Sequence, residues 1–241
     1  MKPFVDRLDA GRRLGEKLAR CQVPSDAVVL GLARGGVVVA HEVAVALGAS
    51  LDVCVVRKIG VPAQPELAMG ALGEDGELEL DHGLVRSLGI SSFQIEEVVA
   101  RERVELQRRL DRYRGGRDAI EIQGVTAIVV DDGVATGATG RAACRVVRSR
   151  RPSRLIFATP VASVDAARAL ARLADQFVSL TEVEGGFAVG QLYEHFDQTS
   201  DEEVIAYLDR AERRSRRQPG GSLGPLSLRP IASRFETRGD R

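Results

Sequence analysis

The chain has no excess of either charge: 34 Lys and Arg stand against 34 Asp and Glu. That balance removes the broad basic footprint on which nonspecific nucleic-acid binding rests. Cysteine is scarce. Cys21, Cys54 and Cys144 lie far apart, match no metal-ligand spacing and form no disulfide framework, so a reducing, cytoplasmic setting is expected. Cys54 and Cys144 sit within apolar patterns and read as core. No apolar run approaches the length of a membrane span, and the first residues lack the basic-then-apolar layout of a signal peptide. No internal repeat is visible. Two phosphate-binding signatures are missing as well: no G-x-G-x-x-G follows a strand, and no G-x-x-x-x-G-K-[ST] occurs. What is present is 241 residues, 44% hydrophobic and 28% charged, the proportions of an ordinary soluble globular protein with one sizeable domain or two small ones.

The most informative stretch runs from Val125 to Thr139, V-T-A-I-V-V-D-D-G-V-A-T-G-A-T. Val125 to Val130 is short, apolar and β-branched, the pattern of a strand buried on both faces of a parallel sheet. It stops at two adjacent carboxylates, Asp131 and Asp132. Gly133 to Thr139 reads as a small, flexible loop, and Ala142, Ala143, Val146 and Val147 share one face of a following helix. The loop N–H groups, the Thr136 and Thr139 hydroxyls and the helix N-terminus together favour a phosphate. The carboxylates are acceptors, suited to sugar hydroxyls or to a hydrated Mg²⁺. A ligand with a phosphate beside a ribose meets both demands. The plainer alternative, acids that merely end a strand, leaves both carboxylates facing a phosphate-type nest without a partner.

The rest of the chain reads as alternating helices and strands. Asp9 to Cys21 is an amphipathic helix with Leu14, Leu18 and Ala19 on one side. Ala27 to Leu32 is a strand ending in Ala33-Arg34-Gly35-Gly36, Val37 to Leu47 a helix stopped by Gly48, and Leu51 to Val56 a strand ending in Arg57-Lys58. This is the right-handed crossover unit of a parallel sheet. Its two strand ends place cations and permissive backbone where open α/β sheets bind ligands. Leu67 to Leu72 and Glu77 to Leu80 read as hairpin arms around Glu74-Asp75-Gly76. Ser91 to Arg114 is a long charged helix, capped by Ser91 or Ser92, with a broken stripe of Ile95, Val98, Val99, Leu106 and Leu110. Arg154 to Pro160 and Gln176 to Leu180 are further strands around a helix from Ser163 to Ala174. Ser200-Asp201-Glu202-Glu203 is a capping box that opens a last helix. His195 is read as a surface or core residue.

Ile128 to Thr139, I-V-V-D-D-G-V-A-T-G-A-T, resembles the phosphoribosyl-pyrophosphate (PRPP) motif of type I phosphoribosyltransferases, and the resemblance extends over about residues 10–210. It implies an α/β fold: a Rossmann-like parallel five-stranded sheet flanked by helices, with a small hood and a mobile hairpin loop. The implied layout is a domain over 1–217, with its core at about 10–182, a mobile loop and helix excursion at about 59–116 and a hood at about 183–210. The implied reaction transfers the 5-phosphoribosyl group of PRPP-Mg²⁺ to a nitrogenous base with release of pyrophosphate. Asp131 and Asp132 would hold the ribose hydroxyls, and Gly133, Val134, Ala135, Thr136, Gly137, Ala138 and Thr139 the 5-phosphate. Arg34, Gly35, Gly36, Arg57 and Lys58 would hold the pyrophosphate, and Phe187, Val189 and Tyr193 would contact the base. Asp132, Lys58 and Glu66 are the catalytic candidates. Mg²⁺ would have no direct protein ligand, meeting Asp131 and Asp132 through water or ribose. A homodimer, a small-molecule base or nucleotide partner, and no specific nucleic acid or membrane complete the expectation. In 6-oxopurine members of the family an Asp stands where this chain has Ala135, which counts against a hypoxanthine or guanine acceptor. One other class stays open, a regulator that senses PRPP or a nucleotide without turnover. A phosphoacceptor signalling domain, which also uses paired Asp at strand ends, is disfavoured because the phosphate-type loop directly follows the acids.

From Gln218 the composition changes to Pro, Gly, Ser and Arg, and residues 218–241 are expected to form a disordered, basic tail. Such a segment cannot bury enough apolar surface to offset the entropy of ordering it. Truncation after Arg217 is therefore expected to leave the melting temperature unchanged. Truncation before Ser200, which removes Val204 and Leu208, is expected to lower it. A melting comparison of the two truncations checks both.

Overall fold

The computed structural model describes residues 4–74, 76 and 78–217. The proposed tail, and Asp75 and Glu77 of the hairpin, lie outside the described residues. The elements follow in chain order: α1 (Arg7–Ala19), β1 (Val28–Leu32), α2 (Gly35–Leu47), β2 (Ser50–Cys54), β3 (Arg57–Val61), β4 (Gln64–Leu72), β5 (Leu78–Leu80), α3 (His82–Ser87), α4 (Ser92–Arg114), β6 (Thr126–Val130), α5 (Ala138–Ser149), β7 (Arg154–Ser163), α6 (Val164–Leu170), β8 (Gln176–Val183), a 3₁₀ turn (Val189–Leu192) and α7 (Asp201–Arg217). Five strands form one parallel sheet in the order β2-β1-β6-β7-β8, as expected.

The sheet is buried on both faces because successive side chains on each strand point to opposite sides. Val29, Val53, Ile128, Val130 and Ile156 face one core, shared with α1, α2, α4 and α7. Val28, Leu30, Ala127, Val129, Leu155 and Phe157 face the other, shared with α5 and α6. Gly48 ends α2 in the left-handed conformation at φ 65°. Ser91 and Gln94 form the capping box of α4, and Ser200 and Glu203 that of α7. No helix among the described residues is long and apolar enough to cross a membrane.

Several local expectations change. Ala19 is exposed; Ala10, Gly11, Leu14, Gly15 and Leu18 form the buried face of α1. Arg57-Lys58 is not a loop at the end of β2 but opens β3, which pairs antiparallel with β4 through a bulge at Ile59 to Val61. The hairpin of β4 and β5 thus gains a third strand, and its sheet is separate from the parallel one. An extra short helix, α3, precedes α4. Both β7 and β8 run further than expected, to Ser163 and Val183, because they stay paired beyond the central strand. Ser163 then becomes the N-cap of α6, accepting from the Ala166 N–H.

The excursion is tied to the core by a buried ionic cluster. Arg114 on α4 lies 3.1 Å from Asp52 on β2 and 2.7 Å from Glu74 at the hairpin turn. Arg150, beyond α5, lies 2.9 Å from the other oxygen of Glu74. Asp52 also accepts from the Ile120 N–H at 2.9 Å. Each of these four side chains is largely buried. Removing one partner of such a cluster leaves charge in a dry setting, which costs about 3–5 kcal/mol. Arg114→Ala is therefore expected to lower unfolding free energy by roughly 3 kcal/mol, read from urea denaturation midpoints.

Candidate functional site

The site forms where β1 and β6 lie side by side. Val28 pairs with Ala127 and Gly31 with Val130, so both strands end at the same level. The turn after β1 then meets the acids after β6. Gly35 lies directly against the Asp132 carboxylate, with no room for a Cβ between them. A Cβ at Gly36 would sit 2.7 Å from the Val130 carbonyl oxygen and 3.0 Å from the Asp131 Cα. The close approach of backbone to acid is why glycine is needed at both positions. The Ala33–Arg34 peptide at this turn is cis.

The loop after the acids is held by backbone bonds to the extended end of β7. The Val134 N–H donates to the Val161 carbonyl, and the Ser163 N–H donates to the Val134 carbonyl, both at 2.8 Å. The Ser163 hydroxyl donates to the Ala135 carbonyl at 2.7 Å. Gly137 takes the left-handed conformation at φ 74° and serves as the N-cap of α5. The helix therefore begins at Ala138, and Thr139 belongs to its first turn rather than to the loop. The first N–H groups of a helix have no intrahelical partner, and the positive end of its dipole favours an anion. Thr136 and Thr139 are both at least partly open to solvent there. Arg141 folds back to donate to the Thr136 carbonyl at 2.8 Å, which adds a cation beside the loop.

The acid pair is electrostatically costly. Burial, and then the neighbouring Asp132, hold the Asp131 carboxyl well above its ordinary range. The Asp132 N–H donates to Asp131 Oδ1 at 2.9 Å. Asp132 itself is met by a residue from α1: Arg7 Nε donates to Asp132 Oδ2 at 2.7 Å. Neither Arg7 nor Arg141 is distinguishable in the sequence, since each is one of many arginines on helix faces. Only the fold brings them to the loop.

The remaining proposed site residues are placed as follows. Arg34 lies 3.9 Å from Asp201 at the start of α7, which also receives Arg112 at 3.1 Å and the Tyr113 hydroxyl at 2.8 Å. Arg57 pairs with Glu102 of α4 at 2.6 Å. Lys58 pairs with Glu66 at 3.2 Å across β3 and β4, and the Glu66 side chain is open to solvent. Each proposed pyrophosphate cation thus carries an acidic partner. Val189 packs on Gly133 at the start of the loop, and Phe187 is half-buried beside it. Tyr193 is not an open base platform. Its ring is buried between Phe4 and Phe196, at centroid distances of 5.3 and 4.9 Å, and its hydroxyl donates to the Asp132 carbonyl. Burial raises its ionisation far beyond the ordinary phenol range. Cys54 and Cys144 are buried core thiols, and burial pushes Cys144 up to about 12. No group of three or more His, Cys, Asp or Glu side chains converges on a metal position among the described residues. The acid pair fits contact with a hydrated Mg²⁺ carried by a substrate, but not a closed protein cage.

Residues 8–190, from α1 through the phosphate-type loop to the hood, match the family model of the phosphoribosyl transferase domain. The chain belongs to the type I phosphoribosyltransferase family. This phosphoribosyltransferase domain is similar to two Mycobacterium tuberculosis proteins named “Putative phosphoribosyl transferase”, MT0597 of strain CDC 1551 / Oshkosh and Rv0571c of strain ATCC 25618 / H37Rv. Each is 50% identical over 213 residues, which is 88% of this chain and 48% of the relative. The chain therefore spans about half the length of these curated relatives. It is also similar to the crystal structure of TT1426 from Thermus thermophilus, with 45% identity and a TM-score of 0.80. That alignment covers 86% of this chain and 98% of the other.

The raised Asp131 carboxyl has a consequence for stability. The folded phosphoribosyltransferase domain holds that proton more tightly than the unfolded chain does, so stability falls as pH rises from the ordinary carboxylate range through the raised one. Asp131→Asn is therefore expected to raise the melting temperature near neutral pH. The gain should vanish below about pH 3, where the carboxyl is protonated in both states. Melting curves of both proteins across pH test this.

Proposed function

We propose that this domain transfers the 5-phosphoribosyl group of PRPP to a nitrogenous base and releases pyrophosphate. The observation that carries the reading is the contact of the Gly35–Gly36 turn with Asp131 and Asp132, directly beside the phosphate-type loop. In this reading Asp131 and Asp132 accept from the ribose hydroxyls. The loop from Gly133 to Thr139 holds the 5-phosphate. The N–H groups of Gly35 and Gly36, with Arg34 and Lys58, receive the pyrophosphate. The C1–oxygen bond to pyrophosphate breaks as the base nitrogen bonds to C1, and the leaving group takes the electron pair. Negative charge grows on the pyrophosphate, so fixed donors aimed at it lower the barrier, by ~3 kcal/mol for one such contact. Mg²⁺, carried by PRPP, would neutralise part of that charge. The Lys58–Glu66 pair is exposed and worth ~1 kcal/mol or less, so a polyphosphate can displace Glu66 at little cost.

Phe187 and Val189 remain the base-side candidates; Tyr193 is spent on packing. Ala135 offers no proton chemistry, which disfavours a 6-oxopurine acceptor. Glu66 is the candidate acid or base. A second reading is supported by the acidic partners that Arg34, Arg57 and Lys58 already have: a PRPP- or nucleotide-sensing protein without turnover. The two differ in one measurement, pyrophosphate release from PRPP and Mg²⁺ with a panel of bases.

PRPP with Mg²⁺ is expected to raise the melting temperature, since a ligand at one hundred times its dissociation constant adds ~2.7 kcal/mol. No shift at millimolar PRPP and Mg²⁺ contradicts the transfer reading and the PRPP-sensing form of the second. Arg34→Ala is expected to weaken PRPP and pyrophosphate but to spare nucleoside 5-monophosphates, which have no pyrophosphate for Arg34 to hold. Equal losses for both ligand types in a titration place Arg34 outside the pyrophosphate site.

A further inference from the structure

We propose that Arg7 is a positioning residue for the ribose end of this site, acting through Asp132. The inference rests on the PRPP reading above. Arg7 is held at three points. Its Nε donates to Asp132 Oδ2 at 2.7 Å, and its Nη1 donates to the Asp197 carbonyl at 2.7 Å. The guanidinium carbon lies 3.8 Å from the centre of the Phe196 ring, a cation–π contact. The pair is largely enclosed, with side-chain exposures of 12% for Arg7 and 16% for Asp132.

This arrangement differs from the other arginine contacts near the site. Arg34 is 39% exposed and lies 3.9 Å from its acid, a loose contact that a ligand can replace. Arg7 is boxed in by α1, the hood and the acid pair. Its partner oxygen is also the atom that Gly35 packs against. The carboxylate plane of Asp132 is therefore set from two sides, by Arg7 and by the Gly35 backbone, while the Tyr193 hydroxyl holds its carbonyl.

Two effects follow for a bound ribose. The first is orientation. With Oδ2 engaged by Arg7, Asp132 keeps its other oxygen, Oδ1, to accept from a ribose hydroxyl. The second is charge. Arg7 offsets the charge of Asp132 at the point where the ribose hydroxyls would meet it. The same positive charge opposes the upward shift of Asp131 only weakly, so its route to the site runs through Asp132. Lysine replaces it only in part, because an ammonium keeps the charge but lacks the planar fork that spans Asp132 and Asp197.

A purely structural staple between α1 and the hood would use the same contacts, so the test must separate the two roles. Wild type, Arg7→Gln, Arg7→Lys, Asp132→Asn and the Arg7→Gln/Asp132→Asn double variant are titrated with PRPP plus Mg²⁺, and separately with pyrophosphate. Melting curves confirm which variants are folded. The expected result is a loss of PRPP affinity on the order of tenfold in Arg7→Gln, with pyrophosphate affinity within about twofold of wild type. Arg7→Lys should show an intermediate loss. In the Asp132→Asn background the Arg7 substitution should add less than about twofold, because its route through Asp132 is already cut. Equal losses for PRPP and pyrophosphate, or a full loss in the Asp132→Asn background, would overturn the positioning role. An unchanged PRPP affinity in folded Arg7→Gln would overturn it as well. Should Arg7→Gln fail to fold, Arg7→Lys carries the same comparison. Wild-type protein that binds pyrophosphate but not PRPP would instead overturn the parent reading, and that outcome is visible before any variant is made.

Discussion

The contact on which this site depends is the seating of the Gly35–Gly36 turn against the two carboxylates after β6. It follows from one pairing, β1 beside β6 in parallel, which ends both strands at the same level. A side chain at Gly35 would push the turn away from Asp132, and the loop and the turn would then face separate spaces. Small residues are therefore required at the meeting point, and in the proposed reaction the chemistry would fall to backbone N–H groups and to side chains that arrive from outside it. This is the general position of ligand sites in open α/β sheets, at the carboxyl ends of adjacent strands.

That meeting point carries an electrostatic burden. Two carboxylates share a half-buried corner, and Asp131 is driven toward its neutral form by burial and by its neighbour. The fold answers with Arg7 from the first helix and with Tyr193 from the hood, which binds the Asp132 backbone rather than its charge. The two ends of the domain are thereby joined at the acid pair. The Phe4–Tyr193–Phe196 cluster and the backbone bond from Phe4 to Leu192 at 2.7 Å reinforce the same joint. The hood is thus organised around the acids and not only around its own small core.

The segment between β2 and β6 shows a different division of labour. Its turn at Glu74 is clamped by Arg114 and Arg150, whereas the opposite end, from Pro62 to Leu67, is exposed and carries Glu66. Helix α4 buries Val98, Val99, Leu106, Leu110 and Tyr113 in the main core, so it belongs structurally to the domain. The cluster also explains the acid at Asp52 on an otherwise apolar strand, which would without it be an uncompensated buried charge.

What the amino-acid sequence determined by itself was the set of elements whose period is local. Strand, acid pair, phosphate-type loop and helix were legible from Val125 to Val147 because a buried parallel strand is continuously apolar and glycine marks the turn that follows it. Gly48 and the capping boxes at Ser91 and Ser200 were equally legible, since each satisfies backbone groups within a few residues. The third antiparallel strand at Arg57 was not, because its charged start looks like a loop until β4 folds onto it. Tertiary structure alone decided which polar side chains reach the acids. Arg7 and Asp132 lie 125 positions apart, and an arginine in the first turn of an amphipathic helix carries no local sign of its destination. Likewise Tyr193 reads as a base platform until Phe4 and Phe196 enclose it. Periodicity and turn chemistry act over a few residues, whereas ion pairs and aromatic packing depend on where distant segments land.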